Sequence, residues 1–404
     1  MAYITRIHVE KCRNVRSLDI DLTQPGPRAT TPTPAFRHLI LTGPNGSGKS
    51  GILEGISTSL LRDFFPRALQ QRARAGAERP GDAELNRIQA GKPPSLTWTM
   101  DEPALRTAFT SGAAITAYLE ARRQIGRHDV RGPKELAWKP ERLHPAHELA
   151  VNLLQFLVNK HTERAFALAR SDAERTAWIE RWLAQFAEHV RRLTGDPGLR
   201  IEFDERAYNL RFHRSDGYVF DLNTLADGHS AAFSILAEIL IRIDAVHRFR
   251  GDYTFEPSGV IIIDEIETHL HLSLQAQILP FITATFPRLQ FILATHSPAV
   301  IASISDAIVC DLGTREQTLS DEYRGVPYGT LMKDHFGISS EIDLDSTEKL
   351  QRLRRLAAGP RDPTTERELQ GLAALLSSRS PALATEVWMT LQHIHGAGLV
   401  ETAS

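Results

Sequence analysis

Gly43-Pro-Asn-Gly-Ser-Gly-Lys-Ser50 fills the pattern GxxxxGK[ST] at every position. The glycines let successive backbone N–H groups turn inward on an anion, so Asn45, Gly46, Ser47 and Gly48 would present donors to phosphate oxygens. Lys49 can reach the β- and γ-phosphates, and the Ser50 hydroxyl can ligate Mg²⁺. A helix opening at Lys49 would point its positive end at the same charge. The context agrees with this. His38–Thr42 reads as a short apolar strand, and Ile52, Ile56 and Leu60 recur on one face of the helix that follows. The stretch therefore predicts a strand, a phosphate loop and a helix, with ATP and Mg²⁺ as ligands.

A second stretch completes the site. Val260-Ile-Ile-Ile-Asp264-Glu265 is a β-branched run ending in two carboxylates, a Walker B pattern. Such a run suits a central parallel strand buried on both faces. Asp264 would hold Mg²⁺ through water. Glu265 would orient or deprotonate the attacking water, the positioning that phosphoryl transfer requires.

Working outward, Ile4–Leu22 reads as two short strands and Thr23–Pro34 as a surface loop. Arg62–Pro94 reads as an insertion with a short helix. Ser95–Met100 and Ile115–Leu119 read as strands, and Pro145–Arg170 with Ser171–Thr194 as an antiparallel helical pair. Leu199–Phe203 and Tyr208–Phe212 alternate as a hairpin does, and Ser230–Val246 is an amphipathic helix. After Asp264 come a helix at Leu272–Phe286 and strands at Leu289–Ala294 and Ala307–Leu312. Beyond Tyr328 the chain reads as helical to its end, through Thr347–Ala357, Thr365–Leu376 and Pro381–His395. This order describes an α/β fold, a P-loop NTPase with a mixed sheet, a helical insert and a C-terminal helical region. The boundaries expected are 1–61 and 220–328 for the two parts of the ATPase domain, 62–219 for the insert and 329–404 for the C-terminal region.

The chain has 404 residues, 42% hydrophobic and 24% charged, with a formal net charge of −2. That balance gives no global basic field for nucleic acid. Two cysteines, Cys12 and Cys310, without a CxxC, fit a reducing compartment and argue against a disulfide scaffold. No apolar run approaches the ~20 residues of a membrane span, and the first residues are too charged for a signal peptide. The expected location is cytoplasmic, with no membrane partner.

Five segments carry a family resemblance. Ala294-Thr-His296-Ser-Pro298 follows the strand after Asp264-Glu265 and resembles the switch histidine of ABC-type ATPases, which contacts the γ-phosphate. Leu225-Ala-Asp-Gly228-His-Ser230 looks like a degenerate ABC signature motif, with Ala226 where the family usually has serine. Ile4 to Asn14 is similar to the opening strand of RecF-, SMC- and OLD-like ATPases, in which the basic residue at the Arg13 position lies near the nucleotide. Asp264-Glu-Ile-Glu267-Thr-His269-Leu-His271 resembles the corresponding run of stand-alone bacterial ATPases that serve as ATPase subunits of antiphage systems, the Septu, PARIS and retron-associated types. Tyr328 to Ser340 resembles that group's C-terminal segment.

The resemblance implies Glu265 and His296 as catalytic residues and a head-to-head homodimer or higher homo-oligomer. In it the signature of one copy, through Gly228, caps the ATP held by the other. It also implies a separate effector protein, a nuclease or a toxin. The alternative is a DNA-repair or chromosome-associated ATPase of the RecF/SMC type that binds DNA directly.

Other signals are weaker. Gln124 stands where an ABC Q-loop would sense Mg²⁺. Arg67, Arg72 and Arg74 could meet phosphate backbones but read first as a solvated face. His269 and His271 read as structural or dimer-contact residues rather than a metal pair. Asp343-Leu-Asp345 resembles the DxD of a TOPRIM nuclease, but too little chain follows for that layer.

Overall fold

The apolar runs of the sequence become adjacent strands of one sheet in the computed structural model, which describes residues 1–23, 37–77, 92–123, 125, 129–136, 143–225, 227–336, 343–359 and 362–397. β3 (His38–Thr42), β5 (Ala114–Leu119), β9 (Ser258–Ile263), β10 (Leu289–Ala294) and β11 (Ala307–Asp311) are buried along their whole length. They pair in parallel, as expected of strands with no polar face. A short antiparallel edge, β12 (Gln317–Leu319), makes the sheet mixed, in the order β12-β11-β3-β10-β9-β5. β10 thus lies between the strand before the P-loop and the strand that leads into Asp264. The C-terminal ends of all three open on the same edge, where ligands of parallel α/β sheets bind.

A second sheet flanks the first. β1 (Ile4–Cys12) pairs antiparallel with β2 (Val15–Asp21) and with β4 (Ser95–Trp98). Its alternation puts Ile4, Ile7, Val9, Leu18 and Ile20 into a core shared with Ile52, Leu53, Ile56 and Leu60 of the P-loop helix Lys49–Phe64. Gln290 ties the two sheets. Its fully buried amide accepts from Ile4 N–H at 2.8 Å and donates to the carbonyls of Ile4 at 2.9 Å and Arg37 at 2.8 Å.

Within the expected insert of 62–219, β4 and β5 belong to the two sheets instead, because their apolar residues pair with β1 and β9. The helical part begins with a 3-10 turn, Ala150–Asn152, and continues as helices Leu153–Ala169 and Ala173–Thr194. The first helix starts later than the sequence reading placed it, because its polar beginning around Pro145–Glu148 is spent on a turn. β6 (Arg200–Asp204), β7 (Asn209–His213) and a third strand, β8 (Val219–Asp221), follow as an antiparallel sheet. Helix Asp227–Arg250 joins insert to core. Arg242, fully buried on it, donates to the carbonyls of Thr116 at 2.9 Å and His147 at 2.7 Å and pairs with Glu238. Glu238 in turn accepts from the N–H groups of Leu149 and Ala150.

Several short elements escaped the sequence reading. Glu102–Thr110 is a helix capped by Asp101, too short and threonine-rich to show a clear period. β8 and β12 are three-residue strands that only tertiary pairing defines. The 24–34 part of the expected loop, and 337–340 of the C-terminal segment, lie outside the described residues, as do the side chains of Arg72 and Arg74.

The chain divides into two units, Met1–Leu331, which includes the insert, and Met332–Ser404. In the second, helices Leu344–Ala358, Pro363–Arg379 and Pro381–Ala397 pack on their own core of Leu350, Leu353, Leu376, Leu383 and Val387. Asp343 caps the first of these helices, and Asp345 pairs with Lys349 and Arg379. Both acids of the Asp-Leu-Asp run are thus engaged within this unit. No described helix is long and apolar enough to cross a membrane.

Candidate active site

The P-loop turns on Gly43, Gly46 and Gly48, all at positive φ. Gly48 is doubly constrained: its φ is 103°, and a Cβ there would stand 2.7 Å from Val15 Cγ2. The β1–β2 turn therefore packs directly on the loop, and Asn14 Nδ2 donates to the Gly46 carbonyl at 3.2 Å. Arg13 is placed beside the P-loop helix, against Gly51, and pairs with Glu54.

Lys49 is 6% exposed, and its Nζ donates to the carbonyls of Gly43 at 2.9 Å and Pro44 at 3.0 Å. Burial pushes its pKa below the ordinary lysine range, against the pull of Glu267, Asp264, Glu265 and Asp311. Four carboxylates around one ammonium make a site that needs more positive charge before it can accept a triphosphate.

Asp264 directly follows β9, and burial raises its pKa, opposed by a hydrogen bond from Ser50. Its Oδ1 is buried without a hydrogen-bond partner, and so is Ser47 Oγ. A buried carboxylate oxygen left open beside a serine hydroxyl is a hard oxygen donor set, and it suits Mg²⁺. Glu265 has a left-handed φ of 43°, and its Oε2 accepts from Thr268 Oγ1 at 3.0 Å. His296 stands just past the end of β10. Burial and the Lys49 ammonium hold its imidazole below the usual histidine range, against Glu265. P-loop, Asp264-Glu265 and His296 thus meet at one sheet edge.

Gly228 lies in the first turn of helix Asp227–Arg250, where a Cβ would come within 2.6 Å of the His269 carbonyl oxygen. Glycine here lets the helix start pack on the loop after Asp264. Next to it, Ser230 Oγ accepts from Ile125 N–H at 3.1 Å. Ala226 and Gln124 lie outside the described residues. Among those described, no third His, Cys, Asp or Glu joins His269 and His271 in a metal-holding group.

Two residues went unassigned in the sequence. Arg123, buried in the loop after β5, donates to the backbone carbonyls of Asp264 and Glu265, each at 2.7 Å, and to that of Glu120 at 2.9 Å. Burial brings its pKa down to about 10. Its only sequence signal was adjacency to Gln124. Glu267 accepts from Thr295 and His296, and burial raises its pKa. It was visible only as one letter of a resemblance.

Residues 39–302 match the family model described as "AAA domain, putative AbiEii toxin, Type IV TA system". The chain belongs to this family. That AAA-domain match spans both halves of the site and the insert between them. Among curated proteins, the family member described here is 22% identical over 327 residues to the Septu protein PtuA of Bacillus mycoides (strain KBAB4), covering 78% of this chain and 41% of that protein. It is 29% identical over 140 residues to the "Retron Vc95 probable ATPase" of Vibrio cholerae serotype O1 biovar El Tor, covering 33% of this chain and 27% of that one. The chain thus spans less than half the length of these curated relatives. Among solved structures, it is similar to the SMC head domain from Thermotoga maritima, with 12% identity, a TM-score of 0.36, and coverage of 76% of this chain and 94% of that one.

Proposed function

We propose that this AAA-family chain binds ATP with Mg²⁺ at the P-loop and hydrolyses it, as one half of a head-to-head dimer. The observation that carries the reading is the buried, unpartnered Oδ1 of Asp264 beside Ser50 at the sheet edge shared by Lys49, Glu265 and His296. Ser50 and Asp264 would hold Mg²⁺, which supplies charge neutralisation for the phosphates. Backbone N–H groups from Asn45 to Gly48 bind the phosphates, and Lys49 exchanges its loop carbonyls for phosphate oxygens. Glu265 orients the attacking water and takes its proton. His296, held largely neutral, donates to the γ-phosphate. Gly228, at the start of its helix, faces the nucleotide of the second copy. Arg13 stands close to the P-loop helix and adds positive charge near the nucleotide. Nucleotide state then passes to a separate effector, a nuclease or a toxin; the likeness to the Septu protein PtuA and to a retron probable ATPase supports this step.

Lys49→Ala should lose ATP binding by calorimetry, because a buried cation facing the phosphates is removed. Glu265→Gln should keep ATP binding, hydrolyse it ~10²–10⁴-fold more slowly, and accumulate as an ATP-bound dimer by light scattering. Wild-type affinity in Lys49→Ala, or an unchanged rate in Glu265→Gln, refutes the assignment.

A further inference from the structure

His296 can serve only if its backbone is fixed, and the strand that carries it ends just before it. β10 closes at Ala294. The N–H of Thr295 still bonds the Leu41 carbonyl at 3.0 Å, whereas the N–H of His296 donates to a side chain. A buried backbone donor must find an acceptor elsewhere. It finds Oε1 of Glu267, three residues beyond Asp264 on the neighbouring loop. The other oxygen of that carboxylate, Oε2, accepts from Thr295 Oγ1 at 2.7 Å. The Thr295 hydroxyl oxygen also accepts from Ser297 N–H at 2.9 Å, so three consecutive residues fold around one acid. A third link runs alongside, from Ile266 N–H to the Ala294 carbonyl at 3.2 Å.

We infer that Glu267 is the positioning residue for His296, a two-oxygen bridge that makes the histidine segment move as one body with the Asp264-Glu265 loop. The inference rests on the ATPase reading above. A carboxylate suits the task because two donors converge on it, and charge-assisted bonds are shorter and stronger than neutral ones. Burying it would be costly without counter-charge. Lys49 and Arg123 provide that charge, and for each of them Glu267 is the carboxylate that acts most strongly. The same anion thus reaches the P-loop lysine, the arginine that grips the Asp264 and Glu265 carbonyls, and the His296 backbone.

The test is a cycle of variants read by steady-state ATPase and by binding of a fluorescent ATP analogue. Glu267→Met, similar in length but without a strong acceptor, should lower kcat by about 10-fold or more, the scale of a misplaced catalytic group, while KM and analogue affinity stay within about twofold. Glu267→Gln should recover much of the rate, since its amide oxygen still accepts from His296 N–H. Adding Glu267→Met to His296→Ala should cost nothing further, because both act through one imidazole. If Glu267→Met does not fold, Thr295→Val takes its place, with Thr295→Ser as the rescue. An unchanged kcat, or losses that multiply in the double variant, overturns the inference while leaving the ATPase reading intact. A wild type that binds the analogue but does not turn over ATP, or does neither, overturns the ATPase reading and this inference with it.

Discussion

Single residues in this chain show how burial sets charge state. His161 stacks on Phe203, rings nearly parallel with centroids 4.3 Å apart, and burial with Arg164 nearby holds its pKa at about 4. The folded imidazole is neutral, while an unfolded one titrates near the ordinary value of about 6.5. Below that value the unfolded chain takes up a proton that the folded chain refuses until about pH 4. The stabilisation is therefore full above pH 6.5 and is lost as pH falls from 6.5 to 4. His161→Phe keeps the stacking and removes the proton. Denaturant unfolding at pH 7 and pH 5 should show a smaller loss of stability in the variant than in wild type. An equal loss means His161 does not contribute to the acid sensitivity.

At the scale of elements, a buried ion pair joins the first helix of the insert to the helix Asp227–Arg250. Lys160 and Asp244 are both fully buried and joined, and Lys160 Nζ sits 4.0 Å from the centre of the Trp178 ring. Burial lowers the lysine pKa to about 8. Asp244 also pairs with Arg248, which pairs with Glu163, linking the helix Asp227–Arg250 to the helix Leu153–Ala169. Asp244→Asn would strand the ammonium in an apolar, aromatic setting and should cost about 3–5 kcal/mol at pH 7. The deficit should shrink as pH rises through about 8, the pKa of the folded lysine, because wild type then loses the charge that Asp244 pairs while the unfolded chains of both forms titrate alike. A deficit under 1 kcal/mol, or one that does not change with pH, would show that the pair is not a structural anchor.

The same elements show what the sequence could and could not reveal. β3, β9 and β10 were legible because fully buried parallel strands are unbroken apolar runs. The P-loop was legible because its glycines are forced by positive φ and close packing. The bridge through Glu267 was not, since a side chain accepting from a backbone N–H 29 residues away has no local pattern. Nor was Arg123, whose partners are the backbone carbonyls of residues more than 140 positions on. Nor was the pairing of Lys160 with Asp244, which stand 84 positions apart.

For the whole molecule, the question is what the C-terminal unit does. The core of the ATP-site unit is drawn from residues between Ala2 and Leu319, and the C-terminal helices close a smaller core of their own. On those helices Leu375, Trp388 and Met389 remain exposed, at 41%, 61% and 52%. Large apolar side chains left in water on a small unit suit an assembly contact better than solvent. A chain ending at residue 336 should therefore stay soluble and bind ATP within about twofold of the full chain, since no residue of the phosphate site is removed. What should change is mass: light scattering with ATP present should show the full chain in a larger assembly than the truncated one. Trp388→Ala with Met389→Ala in the full-length protein separates contact from folding. These substitutions should reduce the assembly without lowering the melting temperature. If the truncated chain unfolds, the helices support the ATPase unit itself. If both forms have the same mass at every nucleotide state, assembly is set by the ATP site alone.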